Sequence, residues 1–267
     1  MHELSATDKG RTIDWGKTSQ DYAEYRPGPP FRFYQMLQAL GIGKKGQVIL
    51  DLGTGTGLLA CQFARQGASV AGIDLSGNQI ETARKAAHAE NLSVDFRCSP
   101  AEEIPFDDGT FDVITANQCW LYFDKAKVIP EVKRLLRPQG LLVTSHFSWL
   151  PRLDPVAQAT EQLVLQHNPA WSASDWSGHI PNEPSWAEGH FSVQGMFWFD
   201  APIGFTHESW RGRIRACRGV GAGLEGGAVE KFDTEHQLLL EKIVPPEFTV
   251  LHRIDAHVFN GQLTMDS

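Results

Sequence analysis

The chain has 267 residues, 42% of them hydrophobic and 21% charged, enough to bury a full core without a disulfide or metal staple. Its formal charge of −8 argues against a nucleic-acid or anionic-membrane binder, and no apolar run approaches the ~18 residues of a membrane span. The four cysteines form no C-x-x-C pair and the first 17 residues lack a signal peptide's apolar core, so a soluble cytoplasmic protein is expected.

A polar arm opens the chain. Arg26-Pro27-Gly28-Pro29-Pro30 leads into a helix predicted over 31–40, since prolines open a helix but do not lie inside one. Val48-Ile49-Leu50 predicts a buried strand, and 58–65 a helix stopped by Gly67. A second strand follows over 70–73, then a helix capped by Ser76 that ends near Asn91. Strands at 94–97 and 111–116 precede a helix at 125–136, a turn at Arg137-Pro138-Gln139-Gly140, and a strand at 141–147. This alternation predicts a parallel sheet with helices on both faces.

After Trp149 the texture changes. Residues 150–190 are rich in Pro, Trp, Ser and His, carry no long periodic segment, and read as an insertion or lid. A strand at 191–199, a helix from Thr206 through Arg218, a glycine-rich turn at 219–227, a helix at 229–243 and a strand at 248–259 complete the chain. The expected fold is one α/β domain with a Rossmann-like, doubly wound sheet of seven mostly parallel strands and an antiparallel C-terminal strand. Its parts are an N-terminal lid (1–45), a ligand-binding core (46–149), the insertion (150–190) and a substrate side (191–267).

The first strand runs into Asp51-Leu52-Gly53-Thr54-Gly55-Thr56-Gly57. Glycines at a strand-to-helix turn let the backbone approach a ligand and aim helix amides at it. The dinucleotide fingerprint is G-x-G-x-x-G/A, but counting from Gly53 puts Leu58 at the third position. Asp51 just before the loop would repel a pyrophosphate and suits a cationic group. Asp74, 17 residues past Gly57, suits ribose hydroxyls. A nucleoside with a positive tail fits best, and S-adenosylmethionine has that form.

The runs VILDLGTGTG, VAGIDLS, AEEIPFDDGTFDVITANQCWLYF and LLRPQGLLVTSHF resemble the class I S-adenosylmethionine-dependent methyltransferases, type 11 branch, over residues 20–150. The resemblance implies that Gly53, Gly55 and Gly57 wrap the methionine part, with Asp51 positioning the tail and the loop. It implies that Asp74 and the adjoining Leu75 meet the nucleoside, and that Ala101 and Glu102 border adenine. Pro100 stands where the family usually has aspartate, which throws adenine recognition onto Ser99, the Ala101 amide or Glu102. Asn117 and Gln118 match residues beside the sulfonium, and Tyr22 and Arg26 match an N-terminal lid that would close over the cofactor.

On the substrate side, Trp120 and His146 are candidates, His146 as a general base or as a core histidine held by hydrogen bonds. Arg211, Arg215 and Arg218 fall on one helical face and would bind a carboxylate if they face a pocket, or water if they do not. Trp149, Trp171, Trp176, Trp186 and Trp198 read as a water-excluding lid or as core, and the histidine spacings match no metal signature. The expected activity is methyl transfer to O, N or C of a small molecule, a carboxylate-bearing one among the candidates, by a monomer or homodimer that binds neither nucleic acid nor membrane. A silent S-adenosylmethionine-binding protein and a nicotinamide-dependent oxidoreductase are the alternatives.

Overall fold

The computed structural model describes residues 7–8, 11–12, 21 and 24–261. Two short strands, β1 (Thr7–Asp8) and β2 (Arg11–Thr12), pair antiparallel in the arm. The chain divides into two compact units. One comprises Gly28–His146, Ile180–Trp198 and Ile254–Ser267; the other comprises Met1–Pro27, Phe147–His179 and Phe199–Arg253. The expected insertion at 150–190 is therefore divided at residue 179 between the two units.

The first unit holds a seven-stranded sheet. Its elements in chain order are α1 (Phe31–Ala39), β3 (Val48–Leu52), α2 (Leu58–Arg65), β4 (Ser69–Asp74), α3 (Gly77–Ala89), β5 (Val94–Cys98), β6 (Phe111–Asn117), α4 (Lys125–Leu135), and parts of β7 (Leu136–Trp149), β8 (Ser192–Thr206) and β9 (Glu247–Asn260). The strand order is β5-β4-β3-β6-β7-β9-β8. The β3–β4, β4–β5, β3–β6 and β6–β7 pairs are parallel. On β7 and β9 the numbering runs in opposite senses, His146 meeting Asp255 and Gly140 meeting Gly261, so β9 is antiparallel to β7.

The strand boundaries follow from both faces being covered. Leu50, Leu52, Ile114, Ala116 and Leu142 pack with Val128, Ile129, Val132 and Leu135 of α4. The alternate positions Ile49, Val113 and Val143 are also buried, which produces near-continuous apolar runs. α3 starts at Ser76, whose hydroxyl accepts from the Gln79 N–H, and α4 at Asp124, whose carboxylate accepts from the Ala126 N–H. The expected turn at 137–140 lies within β7: the ladder to β6 slips between the Phe111–Leu136 and Val113–Leu141 pairs, and Gln139 takes a φ of 65°.

The second unit carries α5 (Pro155–His167), α6 (His207–Arg215) and α7 (Ala228–Ile243) around a core of Trp210, Phe205, Phe232, Trp171 and Val164. Two expectations need correction here. Residues 155–167 form a helix where none was predicted, opened by Asp154, whose carboxylate accepts from the Val156 and Ala157 N–H groups. Thr206 does cap α6, but the helix ends at Arg215, so Arg218 lies in the following turn rather than on the arginine face.

Candidate functional site

The carboxyl ends of β3, β4 and β6 gather the residues expected to bind a ligand. Gly53 and Gly57 have φ of 56° and 80°, which an L side chain adopts only under strain. A Cβ on Gly53 would lie 2.8 Å from the Cβ of Cys119, and one on Gly57 would lie 2.9 Å from the Phe96 ring. Phe96 also lies 2.9 Å from where a Cβ on Gly72 would sit, so one ring fills the space beneath both glycines. The loop is a cradle that any side chain at these positions would disturb.

Asp51 is buried beside the loop. Its two oxygens accept from the Thr54 and Thr115 hydroxyls, each at 2.7 Å. Burial pushes its pKa up to about 6, aided by the nearby Asp74 charge and opposed by the two hydroxyls. Burial, and after it the charge of Asp51, pushes the Tyr34 phenol up.

Asp74 ends β4. Its oxygens accept from the Gly55 and Ser76 N–H groups, both at 2.9 Å. Burial raises its pKa and the two amides oppose the rise. Each carboxylate oxygen retains acceptor capacity, so a diol can still be bound there. Leu75, next to it, is 75% exposed.

At the neighbouring turn the Ser99 hydroxyl donates to Glu103 O at 2.8 Å, and Glu102 Oε1 accepts from the Asp124 N–H at 3.0 Å. Both side chains named for a base edge thus have protein partners. Ala101 is buried, and its N–H has no carbonyl partner among the described residues.

At the end of β6, Asn117 Oδ1 accepts from the Ser145 hydroxyl at 3.0 Å, and the Gln118 N–H donates to Ser145 O at 2.8 Å. Gln118 takes a φ of 67°, a strained backbone of the sort concentrated at functional sites. Trp120 lies in the core 4.7 Å from the Trp186 ring, its indole N–H unpaired.

Tyr22 falls outside the described residues, and Arg26 belongs to the second unit. Arg211 and Arg215 are already engaged: both bind Asp233 and Glu208, and Arg215 also holds Asp21 at 3.1 Å. Trp149 and Trp171 pack in the second unit's core, Trp186 packs in the sheet core, and Trp198 is exposed. No group of three or more His, Cys, Asp or Glu side chains among the described residues is arranged to hold a metal ion. No described helix is long and apolar enough to cross a membrane.

Sequence reasoning missed Thr54, Thr115, Tyr34, Cys119 and Asp255. Thr54 alone had a local signal, standing three residues from Asp51 inside the loop.

Residues 50–144 match the family model described as a methyltransferase domain. Over that stretch the chain is similar to that family. It is 34% identical over 157 residues to a ubiquinone biosynthesis O-methyltransferase of Alkalilimnicola ehrlichii, covering 58% of this chain and 63% of that protein. It is 31% identical over 140 residues to an uncharacterised methyltransferase of Mycobacterium tuberculosis, covering 52% and 54%. The chain spans about half the length of the curated relatives it matches. A solved structure from Anaeromyxobacter dehalogenans, assigned provisionally as a type II methyltransferase, shares the fold of this chain with a TM-score of 0.60. The identity is 18%, over 89% of this chain and 98% of that one.

Proposed function

We propose that this protein transfers a methyl group from S-adenosylmethionine to a small-molecule acceptor. The observation that carries the reading is the pairing of the side-chain-free cradle at Gly53 and Gly57 with two carboxylates, the buried Asp51 and the half-buried Asp74. Phosphate-binding loops place no buried acid under the ligand, whereas a sulfonium with an ammonium tail is attracted by one. When bound, S-adenosylmethionine supplies an electrophilic methyl group, the chemistry being the cofactor's own.

The chain's residues hold and orient. Asp74 accepts from the ribose hydroxyls, the Ala101 N–H serves the base edge, and the exposed Leu75 offers an apolar surface beside the nucleoside. Asp51 braces the loop through Thr54 and Thr115 and supplies negative charge behind the tail. Asn117 and Gln118 border the point of transfer. Such positioning is worth up to ~7–11 kcal/mol in well-ordered reactions.

The acceptor is read as a small molecule with no required carboxylate, because Arg211 and Arg215 already have three carboxylate partners. The name of the Alkalilimnicola relative, an O-methyltransferase of ubiquinone biosynthesis, supports a small acceptor.

Calorimetric and thermal-shift titrations with S-adenosylmethionine, S-adenosylhomocysteine and NADH test the reading. Binding of the first two and not NADH is expected, and a ligand at 100 times its Kd adds ~2.7 kcal/mol to stability. Asp74→Asn should weaken S-adenosylhomocysteine binding by roughly 10-fold or more, the worth of one charge-assisted hydrogen bond. Silence from both adenosyl compounds with a response to NADH would sink the proposal.

A further inference from the structure

Beyond the β6 ladder the sheet carries an imidazole–carboxylate pair. β6 stops at Asn117 opposite Ser145, so His146 is the first residue of β7 past that ladder. Its Nδ1–H donates to Asp255 Oδ2, on the adjacent β9, at 3.1 Å. With the proton on Nδ1, Nε2 carries a lone pair, and Nε2 has no partner among the described residues. The His146 side chain is 36% exposed, while that of Asp255 is 1% exposed.

Asp255 is built to want a cation. A buried carboxylate ordinarily gathers several hydrogen bonds. Among the described residues Oδ1 has none, and Oδ2 has the one from His146. The other titratable group paired with it is His257, whose Nε2–H donates to Pro181 O at 2.8 Å. That tautomer presents a bare Nδ1 to Asp255 Oδ2 at 4.0 Å, beyond hydrogen-bond reach. Charge on His146 is therefore what relieves the buried carboxylate. Burial, the largest influence, lowers the His146 pKa, but the hydrogen bond and charge of Asp255 outweigh it and the net shift is upward.

We propose that His146 Nε2 is the general base for an acidic hydroxyl acceptor, a phenol or enol, with Asp255 as its positioning residue. The inference rests on the methyl-transfer reading and narrows its acceptor. The acceptor oxygen bonds the methyl carbon as the carbon–sulfur bond breaks, and that bond's electron pair remains on sulfur as a thioether. The hydroxyl proton passes to His146 Nε2, and the imidazolium faces Asp255 until water takes the proton. Imidazole is matched in basicity to an O–H of pKa about 10 and poorly to an aliphatic alcohol. A neutral amine attacks with its own lone pair and needs no base at that stage.

Three measurements on the full chain test this. Imidazole NMR of the ligand-free protein should show the His146 titration midpoint falling in Asp255→Asn; an unmoved midpoint overturns the pairing. Calorimetry with S-adenosylhomocysteine should give the same affinity for wild type, His146→Gln and Asp255→Asn. No binding by wild type overturns the methyl-transfer reading and this inference with it, whereas loss in the variants alone overturns only the inference. With phenols of graded acidity, His146→Gln should slow transfer about 100-fold for weakly acidic members and less than about 3-fold for nitrophenols that are already ionised. Asp255→Asn should lower kcat with KM unchanged, and Asp255→Glu should recover part of it. A uniform loss across the series, no loss, or no phenol methylated by wild type overturns the assignment.

Discussion

Asp51 holds a charge that its surroundings disfavour. Its pKa rises from 3.8 to about 6, chiefly through burial. The folded state therefore binds this proton more tightly than the unfolded chain, and stability is lost as pH rises between those two values. Above pH 6 the loss is complete, at roughly 3 kcal/mol for a shift of this size. Asp51→Asn should flatten the dependence of the urea midpoint on pH between 4 and 7, and an unchanged slope would refute the assignment. Asp51, Asp74 and the glycines were legible because they lie in two short runs of sequence. Thr115 reaches Asp51 across 64 positions and Asp255 reaches His146 across 109, and single residues at such separations carry no local signature.

Among the elements, α5 shows why the second half of the chain resisted reading. Its buried positions are Val156, Ala157, Thr160, Glu161, Leu163 and Val164, two of them polar. Thr160 accepts from the Trp210 N–H at 3.0 Å, and Glu161 accepts from the Trp149 N–H at 2.7 Å. Polar residues satisfied by distant tryptophans break the apolar stripe that marks a helix. The Asp154-Pro155 start remained as a local signal, an N-cap followed by proline in the first turn. Asp154 also accepts from the Leu251 N–H at 2.8 Å, so Asp154→Ala should lower stability by about 1–2 kcal/mol, read from urea unfolding. In α6, the arginine row proved to be an ion-pair network. Arg215→Ala should lower the unfolding midpoint, by less at high salt than at low, and leave acceptor KM unchanged. A raised KM would restore the row to the substrate side.

For the molecule as a whole, legibility followed contiguity. Residues 46–149 alternate strand and helix, and neighbours in that stretch pair as β3–β4, β4–β5 and β6–β7, so patterning alone gave the parallel sheet. The second unit draws on three separated segments, and β7, β8 and β9 each contribute to both units. No window of sequence contains such a core. The family match falls within that contiguous stretch, at residues 50–144.

The ring of Phe96, 3% exposed beneath Gly57 and Gly72, makes the loop open to chemical control. Phe96→Ala would remove the floor of the cradle at a cost of about 3–5 kcal/mol and leave a dry apolar void of phenyl size. Voids of that kind admit benzene. The variant should bind S-adenosylhomocysteine weakly in plain buffer and regain affinity when benzene is added, with wild type indifferent to the additive. A packing residue would then serve as a socket through which a hydrocarbon turns cofactor binding on.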